Sequence, residues 1–289
     1  MAVRSEAPAA AAVLRAPPHL YFLVSAVFHY LGPAFAVLLF ARVDVLGVAW
    51  LRIAAAALVF AAWRRPWRAF AALDTGGRRL LVAWGTVLAV MNACFYSAID
   101  RLPLATVAAI EFLPVIALAA LGARTPRNAL ALALAVCGVY LVTGVRIAAE
   151  PLGLVFAFAN AALFAAYIVL ADRVAKRPHA SGIDGLAAAM LVAAVAVTPI
   201  GGWGAAPAFA DPVALLAGVG VGVSSSVIPY VADQLALARL ARATYALLVS
   251  LLPATATVVG IVVLTQLPTS AEAAGVALVV GGVALHQAP

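Results

Sequence analysis

The chain is 289 residues long, and 66% of them are hydrophobic against 10% charged. A soluble domain carries about a quarter charged residues to meet water, so this composition excludes a water-exposed globule and makes lipid the solvent. The formal charge of +7 sits in short loops between apolar runs, where it marks membrane topology rather than a nucleic-acid partner.

Residues 1–18, MAVRSEAPAAAAVLRAPP, hold no long apolar core and read as a flexible tail rather than a signal peptide. A bilayer core about 30 Å thick takes about 20 apolar residues as helix. Ten such runs follow, at 20–41, 43–63, 80–99, 104–123, 128–146, 152–171, 185–202, 212–233, 243–265 and 271–287. Their faces are Ala, Leu and Val all round, as expected without an aqueous side, and no run alternates as a barrel strand would. Helices satisfy the backbone in lipid, so the expected fold is an all-α integral membrane protein of ten transmembrane helices. The longest loops, at 66–79 and 203–211, leave no room for a soluble domain.

Threading these spans with the N-terminus in the cytoplasm collects fourteen of the eighteen basic residues on one side. Arg42, Arg52, Arg101 and Arg146 remain for the other. The positive-inside rule therefore places both termini in the cytoplasm. Trp63, Trp67 and Trp84 then fall near the cytoplasmic interface and Trp203 near the outer one, where amphipathic rings are favoured. Cys94 and Cys137 lie within apolar runs and suggest neither a disulfide framework nor a metal site.

The chain resembles itself. FYSAIDRLPLATVAAIEFLPVIALAAL from 95 aligns with DQLALARLARATYALLVSLLPATATVV from 233, bringing Pro114 onto Pro253 after a one-residue shift. AVCGVYL at 135 matches VVGGVAL at 279, and FARV at 40 matches ADRV at 171, a register that sets His29 on Asn160. Five spans per half is an odd number, so the second half enters from the opposite side. This is the inverted-repeat plan of secondary transporters, with substrate held near the midplane between the halves. The expected units are 19–147 and 148–289, around a central cavity.

RLPLATVAAIEFLPVIALAAL, ANAALFAAYIVLADRVAKRP at 159–178 and SSSVIPYVADQLALARLARATYALLVSLLPATATVVGIVVL at 224–264 resemble the drug/metabolite transporter superfamily, EamA-type. AWLRIAAAALVFAAW at 49–63 resembles its second helix. The likeness is greatest to the ten-helix inner-membrane amino-acid exporters, including threonine/homoserine and aromatic amino-acid exporters, and covers nearly the whole chain. It implies a cavity between spans 1–4 and 6–9, with spans 5 and 10 peripheral. Two departures stand out: Leu252 where the family usually has Glu before the second proline, and Thr265-Gln266 where it often has Gly-Glu.

Polar residues inside the runs supply the candidate site. Glu111 lies about 10 Å inside its span at 1.5 Å per residue, and a charge there costs at least about 2.5 kcal/mol. Arg52, at similar depth in the second span, is the expected partner, directly or through water. The alternative is an outward-reaching Arg52 and a neutral Glu111 in a packing hydrogen bond. Pro114 and Pro253 are expected to kink their helices, serving either the cavity or packing alone. Tyr21, Ser25 and His29 share a helix face, as do Asn92 with Tyr96, Asn160 with Tyr167 and Ser226 with Tyr230. The substrate-cavity set is His29, Asn92, Tyr96, Glu111, Asn160, Tyr167, Ser226 and Tyr230. Interhelical hydrogen bonding is the competing role for each. GVGVGVSSS at 218–226 would allow close helix approach and is no phosphate loop, because no Gly-Lys-Ser/Thr follows.

No HExxH or GxSxG occurs, and His19, His29, His179 and His286 are scattered. No enzyme, cofactor or metal is therefore expected, an intramembrane hydrolase being the weakest alternative. A channel would need a polar ring or filter loop. The expected function is export of small metabolites, amino acids first, by alternating access. Glu111 would take the substrate ammonium, and Asn160, Tyr96 or His29 its carboxylate, with broad selectivity from an Ala-rich wall. A drug, nucleotide sugar or lipid precursor is the alternative cargo. Glu111 and His29 are the midspan proton carriers on offer, no sodium-site signature is visible, and a monomer suffices.

Overall fold

The computed structural model describes residues 17–122, 125–144, 149–177, 182–237, 239 and 251–285. The tail 1–16, Arg124, Arg146, His179, Arg242, residues 243–250 of the ninth run and His286 lie outside these. Among the described residues all regular structure is helical.

Helix α1 (Pro18–Leu39) opens on proline, whose missing N–H costs nothing in a first turn. Asp44 caps α2 (Val45–Arg64), accepting from the Leu46 and Gly47 amides at 2.9 and 3.3 Å. Arg65 adopts left-handed φ 49°, and Pro66 restarts the chain as the short α3 (Pro66–Ala72). Asp74 caps α4 (Thr75–Ile99) through the Gly77 amide at 2.8 Å. Helices α5 (Leu104–Gly122), α6 (Pro126–Gly144), α7 (Pro151–Ala175) and α8 (Gly182–Gly201) follow. A 3₁₀ turn (Ala206–Ala210) leads to α9 (Pro212–Gly222), a π-helical turn (Val223–Val227) and α10 (Ile228–Leu237). Helices α11 (Leu252–Leu264) and α12 (Ser270–Leu285) complete the fold.

The two family departures have local roles. The Gln266 side chain accepts from the Leu104 amide at 3.0 Å, capping α5 from across the fold. Thr265 takes the left-handed φ of 54° that ends α11. At α12, the Thr269 hydroxyl accepts from the Glu272 amide at 3.2 Å while Glu272 accepts the Thr269 amide at 2.9 Å, a reciprocal capping box.

Every one of the ten apolar runs carries helix in its described part. Among the described residues, seven stretches are long and apolar enough to cross a membrane, counting Pro212–Asp233 as one. Leu104–Pro114, Leu252–Leu264 and Ser270–Leu285 are shorter. The outer faces are apolar: Leu58, Val195 and Val262 are 70–74% exposed, an arrangement that lipid solvates and water does not. Trp63, Trp67 and Trp203 are exposed. Trp84, expected as an interface anchor, is instead buried against Tyr167, with ring centroids 5.6 Å apart, because it sits on the inward face of α4.

Helix α1 packs on α9, α10 and α11, and α4 on α7 and α8. Helix α2 packs on α8 and α9, α5 on α6, α7 and α11, and α12 on α6. Two close approaches use glycine for lack of a Cβ. A Cβ on Gly85 would stand 2.7 Å from the Ala189 carbonyl and 2.6 Å from Val192 Cβ; one on Gly222 would stand 2.7 Å from the Arg52 carbonyl and 2.7 Å from Ala55 Cβ. All three residues of the second contact are related to the first by 137 positions. Likewise a Cβ on Gly138 would stand 2.5 Å from the Gly275 carbonyl and one on Gly282 would stand 2.7 Å from that of Ala131, related by 144 positions.

Candidate functional site

The site begins with a proline. Pro229 has no N–H, so the carbonyl of Ser225, four residues earlier, loses its helical partner. The chain widens there into the π-helical turn, closed by the Ile228 amide on the Val223 carbonyl. Such turns concentrate at functional positions. The freed Ser225 carbonyl accepts from Arg52 Nη2 at 3.1 Å, and Ser226 Oγ accepts from Arg52 Nε at 3.0 Å. The guanidinium lies 5.5 Å from the centroid of the Tyr96 ring, a cation–π contact strengthened by desolvation. Gly32 brings α1 onto the same turn: a Cβ there would stand 2.9 Å from Ser224 Oγ and overlap the Ser225 side chain.

Arg52 borders a cavity of about 60 Å³ inside the bundle. Helix α1 contributes His29 and Pro33; α4 contributes Met91, Asn92 and Phe95. Glu111 comes from α5, Asn160, Phe164 and Tyr167 from α7, and Tyr230 from α10. Ligand pockets run to about 300–1,000 Å³, so this one is contracted and has space for a few waters only. An amino-acid-sized ligand would require the surrounding helices to part. Neither α6 nor α12 lines the cavity.

Arg52 and Glu111 both face the cavity, and of the pairing expected of them, directly or through water, the direct contact is not made among the described residues. Arg52 is held by the π-helical turn, and Glu111 by Asn160, whose Nδ2 donates to Oε1 at 3.1 Å. The freed Ser225 carbonyl competes successfully for the guanidinium, and the amide stands in for a cation at Glu111. Both charged residues are buried, at 6% and 8% exposure. Asn160 Oδ1 is buried without a hydrogen-bond partner at the same cavity. A dipolar ligand would meet a guanidinium on one wall and a carboxyl on another.

Of the predicted cavity residues, His29, Asn92, Glu111, Asn160, Tyr167 and Tyr230 line the space. Tyr96 and Ser226 stand behind it and act on Arg52. Asn92 donates to the Leu88 carbonyl of its own helix at 2.8 Å. His29 meets Tyr30 edge-on, with centroids 5.2 Å apart. Pro114 lies inside α5. Pro253 opens α11, and the segment 243–250 before it lies outside the described residues, so no kink is described there. Pro33, Met91, Phe95, Phe164 and Ser225 escaped the sequence reading; only the SSS-x-x-P spacing at 224–229 could have signalled Ser225.

Comparison with known proteins adds the family. Residues 151–286 match the EamA-like transporter family. The threonine/homoserine exporter RhtA of Salmonella typhimurium (strain LT2) is 33% identical over 258 residues, covering 88% of this chain and 86% of its own. That of Escherichia coli (strain K12) is 33% identical over 238 residues, covering 81% and 79%. A solved structure described only as a protein crystal structure shares the fold, with a TM-score of 0.59 at 20% identity over 92% of this chain and 96% of that one. With a third of the residues shared across most of both chains, and membrane-length helices enclosing a polar cavity, this chain belongs to the EamA-like transporter family.

Proposed function

We propose that the chain is a secondary transporter exporting amino acids across the bacterial-type inner membrane, with both termini cytoplasmic. One observation carries the reading. A buried guanidinium and a buried carboxyl border one cavity and are each held by neutral groups rather than by each other. A zwitterion fits between them, its carboxylate on Arg52 and its ammonium on Glu111. Arg52 thereby takes the anion-binding role, with Asn160 and His29 as supporting groups. The named function of the relatives supports threonine-like cargo, and Phe95, Phe164, Tyr167 and Tyr230 leave aromatic side chains in play.

The architecture we infer is two inverted units, 19–147 and 148–289, behind a tail at 1–18. The glycine contacts support it: under an approximate twofold axis, Gly85 on α8 and Gly222 on α2 are the same contact made twice. Helix pairing agrees, since α4 on α7 mirrors α1 on α9 and α10, and α5 on α7 mirrors α1 on α11. Rocking of one unit against the other would open the contracted cavity to each side in turn. Glu111 and His29 are the cavity groups suited to carry a coupling proton.

The test is purified protein in liposomes with labelled threonine, homoserine and phenylalanine, against the amine lacking the carboxylate and the acid lacking the ammonium. Zwitterions should move, with rates that respond to an imposed pH gradient, and the one-charge analogues should not. Transport of a nucleotide sugar or lipid precursor with amino acids inert would overturn the assignment.

A further inference from the structure

The end of the molecule where α4 begins and α7 finishes holds a hollow of about 510 Å³, lined by Gly76, Arg79, Leu80, Arg173, Lys176 and Arg177. Four cations converge there, and their counter-charges are fewer. Lys176 bonds Asp172 at 2.6 Å, and Arg177 reaches Asp74 at only 3.8 Å. Arg79 and Arg173 have no ion pair among the described residues. The first turn of α4 beside the hollow is already capped by Asp74 through the Gly77 amide at 2.8 Å, so the pull on an anion comes from the side-chain cations. With Lys176 and Arg177 paired, Arg79 and Arg173 leave it two positive charges in excess.

A second feature says what kind of anion fits. An apolar groove of about 480 Å³ runs beside the same helix, lined by Trp67, Phe70, Val82, Thr86 and Val192 among others. Arg79, Val82 and Thr86 recur at spacings of three and four, so they form one stripe of α4. The groove begins one turn along from the cationic hollow, and half-exposed Trp67 sits at that level as interfacial tryptophans do. A soluble anion has no use for such a groove; a phospholipid does.

We propose that this hollow binds the phosphate of an anionic phospholipid, with an acyl chain laid in the adjoining groove. Basic pockets between membrane helices recognise such headgroups on the cytoplasmic side, the side on which the basic-residue count sets these arginines. Because Arg79 comes from the first half of the chain and Arg173 from the second, the headgroup would tie the two halves at this end.

The experiment is thermal unfolding of the full chain in detergent, titrated with phosphatidylglycerol, phosphatidylcholine of the same acyl length, or inorganic phosphate. Phosphatidylglycerol should raise the midpoint by several degrees over phosphatidylcholine, and phosphate should not. The double variant Arg79→Gln/Arg173→Gln should lose most of that rise. Arg65→Asn/Arg68→Gln, removing equal charge outside the hollow, should keep it. Equal stabilisation by both lipids, equal loss in both double variants, or an equal rise with inorganic phosphate would each overturn the proposal.

Discussion

Arg52 is held by neutral groups alone: two hydrogen bonds to the π-helical turn and one aromatic face. A charge-assisted hydrogen bond contributes about 1.5–3 kcal/mol, so Arg52→Gln and Glu111→Gln should each weaken substrate binding about 10- to 100-fold. Equilibrium binding of labelled threonine would measure this. At the rim, Asp211 accepts the Ala214 and Val213 amides and the Arg42 guanidinium at 2.9 Å, and these contacts hold its carboxyl below the usual carboxylate range. A depressed value means that its stabilisation is complete above the unfolded-chain value and is lost as pH falls through the folded one. Asp211→Asn should therefore lower the unfolding midpoint at pH 6 slightly and flatten its fall as pH drops through and below the unfolded-chain carboxylate value of about 3.9. A parallel shift at all pH values would contradict this.

Among the helices, glycines decide how closely facing helices approach. Gly85→Ala and Gly222→Ala each press a methyl onto a facing carbonyl and should destabilise by about 1–3 kcal/mol. Gly220→Ala and Gly281→Ala meet nothing within 4 Å and should be neutral or better. Unfolding midpoints of the four variants give the comparison; similar losses in all would argue against close approach. The helices themselves were legible because lipid demands long apolar runs, with seven of crossing length among the described residues where ten were expected, and the sequence register of AVCGVYL on VVGGVAL is the one in which Gly138 and Gly282 make matching contacts. The break in the eighth span was not legible as a site. Its cause is a backbone hydrogen bond that Pro229 cannot make, and only the folded chain reveals that Arg52 captures the orphaned carbonyl. Trp84 was misread for a related reason: composition locates a residue along a helix but not around it.

Across the whole molecule, the positive-inside count and the proposed inverted units make a joint demand on topology. Cysteines placed at Arg78 and Arg177 should react with an impermeant thiol reagent from one side of the membrane, and one at Trp203 from the other. Labelling of Arg78 and Arg177 positions from opposite sides would remove the inverted arrangement. The contracted cavity implies that ligand entry and helix motion are one event, because about 60 Å³ cannot admit an amino acid. Charge at the cavity was legible, as intramembrane Arg and Glu stand out against Ala and Leu. Its volume was not, since that depends on the state in which the helices rest.

The most direct measurement is counterflow of labelled threonine in liposomes preloaded with unlabelled threonine, comparing the unaltered chain with Arg52→Gln and Glu111→Gln. The unaltered chain should exchange rapidly, and both variants should lose nearly all exchange while retaining their unfolding midpoints. Full exchange in either variant, or none in the unaltered chain, would contradict it.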